Sequence, residues 1–166
     1  MQLPDAEKLA QTMAQQLEPY LNANSALVGI HTGGVWLAER IHALLGRKIP
    51  LGTLDVSFYR DDFSRSGLHA EVAPSDIPFD VTGRDIILVD DVLYTGRSVR
   101  AAMNELFDYG RPASIILAVL VDRGGRELPI ASQVTGVVLV LAPDQNIQLN
   151  RDQEGRLALS LHQTTA

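Results

Sequence analysis

Apolar positions in this chain come in two kinds of run. Three are short and unbroken: Ala26–Ile30 (ALVGI), Asp85–Val89 (DIILV, apolar after its first residue) and Ile115–Val121 (IILAVLV). Runs of that length read as strands buried on both faces. Residues 51–59 (LGTLDVSFY) alternate around Leu54, Val56 and Phe58, and Val134–Leu141 adds a further strand. The second kind has helical spacing. Leu9, Met13 and Leu17 recur at i, i+4 and i+8 between Asp5 and Leu17, with Pro4 placed for the first turn. VWLAERIHALLG predicts a helix stopped by Gly46, and 98–109 another stopped by Gly110 and Pro112. The tail from 144 adds strand pieces around Ile147 and Leu157–Leu161, and 60–76 shows no period and reads as a long loop of the lid kind.

Buried strands alternating with helices predict an α/β fold, a central, mostly parallel sheet flanked by helices. No linker, repeat or low-complexity segment divides the chain, so residues 1–166 read as a single domain. Ligands of such sheets bind beyond the carboxyl ends of the strands. Three loops meet that description and are expected to converge: His31–Gly34, Asp90–Ser98 and Asp122–Arg126.

Composition narrows the classes. Hydrophobic residues make up 46% and charged residues 20%, which suits a soluble domain with a core. No apolar run reaches the roughly 18 residues of a membrane helix, and the polar N-terminus lacks the features of a signal peptide. Cysteine is absent, which excludes disulfides and thiolate-bound metals. A cytoplasmic location is the expectation. Net charge is −6, and Lys8 and Lys48 are the only lysines. Without a basic run, nucleic-acid binding would need arginines gathered by folding.

The chemistry concentrates in ILVDDVLYTGRSV, residues 87–99. Two ionised carboxylates only accept hydrogen bonds, so Asp90 and Asp91 suit adjacent hydroxyls, as on ribose, or a magnesium ion. Tyr94, Thr95, Gly96, Arg97 and Ser98 then open a helix with hydroxyls and a permissive backbone, which makes an anion cradle. A bland reading, Asp91 or Thr95 as a helix cap, leaves the second acid and Gly96 unexplained. Trp36, Met103, Leu106 and Phe107 read as packing. His31, His42, His69 and His162 are too scattered for a metal site. No GxxxxGK[ST] or GxGxxG is present.

These residues resemble the phosphoribosyl-pyrophosphate (PRPP) motif of type I phosphoribosyltransferases. Together with TLDVSFYRDDFS, the GIHTGG opening and VDRGGRELP, they resemble the PyrR family, bifunctional regulators of pyr-operon attenuation and uracil phosphoribosyltransferases. The resemblance covers roughly residues 26–136. It implies the type I phosphoribosyltransferase fold, with a small hood and a mobile lid loop. It implies Asp90 and Asp91 on the ribose hydroxyls as catalytic residues, and Val92, Leu93, Tyr94, Thr95, Gly96, Arg97 and Ser98 around the 5′-phosphate. His31, Thr32, Gly33 and Gly34 would form the pyrophosphate loop. Mg²⁺ would arrive with PRPP. Arg60, Asp61 and Asp62 would begin the lid, and Arg123 and Ile147 would lie by the base. Uracil and PRPP would be substrates, UMP product or effector, the pyr mRNA leader a partner, and the assembly a dimer or tetramer.

Three positions depart from the family's pattern. The pyrophosphate loop lacks its two basic side chains, reading His31-Thr32-Gly33-Gly34, and Gly125 replaces a histidine. The alternatives are a catalytically weak, nucleotide-sensing RNA-binding attenuator, or a phosphoribosyltransferase for another base.

Overall fold

The computed structural model describes residues 1–56 and 75–164. Arg60, Asp61, Asp62 and His69 lie outside the described residues. In chain order the elements are α1 (Ala6–Leu17), a 3₁₀ turn (Glu18–Tyr20), β1 (Ser25–Ile30), α2 (Gly33–Leu44), β2 (Leu51–Leu54), β3 (Asp85–Leu93), α3 (Arg97–Tyr109), β4 (Ser114–Asp122), β5 (Val134–Val138), β6 (Gln145–Arg151) and β7 (Leu157–Gln163).

The first five strands form one parallel sheet in the order β2-β1-β3-β4-β5. Alternate residues of β1 and β3 feed opposite faces. Leu27, Ile87 and Val89 pack with α1 and α2, while Ala26, Val28, Ile86 and Leu88 pack with α3. Both faces are therefore apolar, which is why these strands read as unbroken runs. Burial of one Leu or Ile contributes about 1.5–3 kcal/mol, and Leu27, Ile86, Ile87 and Leu88 are all at most 2% exposed.

β6 and β7 pair antiparallel as a separate hairpin, the hood. Ile147, Leu149 and Leu157 turn into the core, and Asn146, Gln148 and His162 face out. Among the described residues no helix is long and apolar enough to cross a membrane.

Element ends differ from the sequence expectation at informative places. Asp5, not Pro4, begins α1: its Oδ1 accepts from the amides of Glu7 and Lys8 at 2.9 and 3.3 Å, leaving Pro4 outside the helix. Gly33 and Gly34, expected in a loop, are the first turn of α2. β3 does not stop at Val89 but carries both aspartates inside it to Leu93. β2 ends at Leu54, and β5 ends at Val138 rather than Leu141.

Candidate active site

The chain reverses direction across the sheet between β1 and β3. Such a switch point opens a crevice at the carboxyl ends of the two strands, because the loops leaving them diverge. Pairing of β3 with β1 stops at Val89 opposite Gly29, whereas pairing with β4 continues to Leu93 opposite Asp122. Residues 90–93 are thus a strand end paired on one side, reaching into the crevice.

Asp90 and Asp91 occupy that stretch. Asp90 is 4% exposed, and Asp91 is half-buried. Each carboxylate takes the amide that follows it: Asp91 N–H donates to Asp90 Oδ1 and Val92 N–H to Asp91 Oδ1, both at 2.9 Å. These bonds fix each carboxylate at one oxygen and stand in for the ladder partner that β1 no longer supplies.

Two helix N-termini meet the acid strand. That of α1 is capped by a side chain, but the N-cap positions of α2 (Thr32) and α3 (Gly96) have no side-chain cap. Thr95 Oγ1 accepts from Arg97 N–H at 3.2 Å. First-turn amides lack carbonyl partners inside a helix, and they favour anions. Gly96 holds φ +95°, a left-handed conformation that glycine adopts without penalty. The α2 start is pressed onto the acids. A Cβ on Gly33 would sit 2.6 Å from Asp91 Cγ, and one on Gly34 2.6 Å from Val89 O. The His31–Thr32 peptide is cis, and His31 N–H donates to Leu54 O at 2.8 Å.

The loop after β4 forms the outer wall. Arg126 donates to Asp122 Oδ2 (2.6 Å), Ile130 O (2.9 Å) and Tyr94 O (3.0 Å). The amides of Glu127 and Leu128 donate to Thr95 O, and Arg97 Nε pairs with Glu127 at 2.9 Å. Burial raises the pKa of Asp122. The hydrogen bonds from Arg126 and the Gly124 amide, with the Arg126 charge, outweigh it and hold the carboxyl below its usual 3.8. Arg123 leaves the same loop toward the hood. Its guanidinium donates to Gln145 O at 3.0 Å and Asn146 Oδ1 at 3.4 Å, with Nε buried and unpartnered.

The three loops expected to converge do so. Arg126 ends one of the expected loops and Glu127 lies just beyond it, and together they brace the Thr95 turn, a role the sequence did not assign to either. Nothing in their spacing marks them, since the contacts span some 30 positions. Val92 and Leu93 belong to β3. Leu93 is 1% exposed, so only its backbone can border a ligand. Ile147 is 4% exposed and is a core residue beneath the hood. At Gly125, a side chain in place of hydrogen would run into the Tyr94 ring, with Cδ1 at 2.8 Å.

Mg²⁺ takes oxygen ligands and usually combines one or two carboxylates with substrate phosphates. Among the described residues no group of three potential ligands stands ready. The Asp90–Asp91 pair beside the anion cradle fits a metal carried in by a phosphorylated substrate.

Comparison with known proteins agrees with this geometry. The phosphoribosyl transferase domain model matches residues 2–152. A bifunctional protein PyrR of Pseudomonas savastanoi pv. phaseolicola is 52% identical over 165 residues, which is 97% of this chain and 96% of that protein. One from Nitrosococcus oceani is 55% identical over 143 residues, 85% of this chain and 81% of that protein. Among solved structures, a Bacillus anthracis hypoxanthine-guanine phosphoribosyltransferase superposes with TM-score 0.65 at 15% identity, covering 86% of this chain and 79% of that one. A Pyrococcus horikoshii purine phosphoribosyltransferase does so with TM-score 0.62 at 24% identity, covering 80% of each. At such identities the superpositions speak for the fold. An acid pair on β3 between two uncapped helix starts, on a chain matched by that domain model and half identical to these relatives over nearly its whole length, makes this a phosphoribosyltransferase of the PyrR family.

Proposed function

We propose that the chain transfers the phosphoribosyl group of PRPP to uracil, giving UMP and pyrophosphate. The observation that carries this is the placement of Asp90 and Asp91 within β3, between the uncapped starts of α2 and α3. The acids accept from the 2′ and 3′ hydroxyls of ribose. Their charge favours positive character at C1 as its bond to pyrophosphate breaks and its bond to uracil N1 forms, with loss of the N1 proton. The amides from Tyr94 to Ser98 hold the 5′-phosphate, and those at Thr32 and Gly33 hold the pyrophosphate. Asp90 and Asp91 would hold Mg²⁺ arriving with PRPP, and the ion would supply neutralising charge. Arg123, fixed between Tyr94 and Gln145, offers a donor toward the base. A lid beginning at Arg60, Asp61 and Asp62 excludes water.

The test is pyrophosphate release from PRPP with uracil, orotate, hypoxanthine or guanine as acceptor. Release with uracil alone is expected. Release with a purine alone would move the chain to the other-base reading.

The relatives are named bifunctional, which favours a second activity, control of pyrimidine genes through a pyr mRNA leader. Arg126 is spent on internal contacts, so that activity would draw on other arginines. It predicts RNA affinity that falls steeply with salt. A homodimer or tetramer in the cytoplasm completes the proposal.

A further inference from the structure

α2 has a second face, turned away from the sheet and toward a cavity. Its buried side presents Leu37, Ala38 and Ile41 to the sheet. Trp36, Arg40 and Ala43, spaced i, i+4 and i+7, lie along another face and line a cavity of about 500 Å³. Arg47, just beyond the helix, and Arg151, at the end of β6, complete it. Small-molecule sites occupy roughly 300–1,000 Å³.

The three guanidiniums have donors to spare. Arg40 is joined to Glu7 by one contact at 2.6 Å, and a guanidinium carries five N–H groups. Arg151 lies 3.6 Å from Glu39, too far for a hydrogen bond, and its guanidinium sits 5.1 Å over the Trp36 ring. The Arg47 side chain has no hydrogen-bond or ion-pair partner among the described residues. Its backbone holds φ +56°, the one non-glycine residue with positive φ among those described. The Arg47 amide closes the end of α2 on His42 O at 2.9 Å, which accounts for the left-handed backbone, and its guanidinium is left to line the cavity with two others. Glu39 is the one acid in the lining. In a chain of net charge −6, this is a local concentration of positive charge beside a flat aromatic face.

We propose that this cavity binds a nucleotide, its base on the Trp36–Arg151 stack and its phosphates on Arg47 and Arg40. Planar guanidiniums suit phosphate oxygens in pairs, and aromatic faces accept any base. The three arginines ring one open cavity of limited size, which favours a small ligand over an RNA strand, since a strand would need an extended basic track. The site is separate from the crevice at Asp90 and Asp91, and the proposal stands whether or not uracil is the acceptor there.

Trp36 is the sole tryptophan, so its fluorescence reports the cavity directly. The experiment is titration of the full chain with ATP. A saturable change is expected, weakened about tenfold or more in Arg47→Gly and retained in Asp91→Asn. Glycine suits the left-handed backbone at position 47, so the variant should keep the wild-type melting temperature. Several outcomes would overturn the proposal: no saturable change at millimolar ATP, equal affinity in Arg47→Gly, or loss of the signal in Asp91→Asn, which would put ATP in the catalytic crevice. Equal displacement by inorganic phosphate would reduce the site to an anion site. Response to an RNA oligonucleotide but not to ATP would replace the nucleotide by RNA.

Discussion

The Arg123 guanidinium lies 4.1 Å over the ring of Tyr94, so a residue of the β4 loop is stacked on a residue of the turn between β3 and α3. The same guanidinium reaches Gln145 in the hood. One side chain therefore ties together three parts of the crevice. Cation–π contacts contribute about 0.5–2 kcal/mol. Tyr94→Ala is expected to lower stability within that range and to raise the KM for uracil more than that for PRPP, whereas Tyr94→Phe retains both. Equal changes in the two KM values, measured by steady-state kinetics, would show that the stack does not orient Arg123.

Replacing both acids, Asp90→Asn with Asp91→Asn, should abolish turnover and greatly weaken PRPP binding while leaving the circular dichroism spectrum and the melting transition recognisably native. Amide side chains can still accept the Asp91 and Val92 amides through their oxygens, so the strand end keeps its bonds. Near-normal pyrophosphate release by the double variant would remove the ribose assignment.

Gly33→Ala places a methyl group against the Asp91 carboxylate. Overpacking of this kind costs about 1–3 kcal/mol. Denaturant unfolding should show that loss, and kcat/KM for PRPP should fall at least about tenfold as the acid is displaced. A variant with wild-type stability and kinetics would mean that the α2 start and the acid strand can separate freely.

The Asp122–Arg126 pair makes a pH prediction whose sign is fixed. The folded carboxyl has a pKa below its ordinary 3.8, so its contribution to stability is fully present above the unfolded value. It is lost as pH falls through the lower folded value. Asp122→Asn should therefore be less stable than the wild type at neutral pH, with the gap closing under acid. Urea midpoints at neutral and strongly acidic pH will show the convergence, and a constant gap would assign the effect to packing.

Ile147 separates a core role from a ligand role. At 4% exposure, its truncation in Ile147→Ala should cost about 2–5 kcal/mol without any ligand present. A variant of unchanged stability with weakened uracil binding would favour a place for Ile147 by the base.

The parallel sheet was legible because its strands are buried on both faces, leaving unbroken runs such as IILAVLV. The hood was visible only as fragments. QNIQLNR alternates over a short stretch, and its polar outer face carries no signal of its own. HTGG read as loop because glycine is a poor helix former. Here it opens α2 because close approach to Asp91 matters more than propensity. The acid pair was found by local chemistry. The Arg126 and Glu127 brace was not, since a contact between distant loops leaves no periodicity behind. Arg40, Arg47 and Arg151 likewise became neighbours only on folding.

The pressure of Gly33 and Gly34 on the acid strand also limits how this protein can change over generations. A single substitution could restore a basic side chain at position 31, but not at position 33, where the first added carbon already meets Asp91. Regaining an arginine there would require β3 or the start of α2 to shift in a companion mutation. Lineages carrying this loop are thus confined to varying it at its entrance, and any further charge beside it must be recruited from another part of the chain.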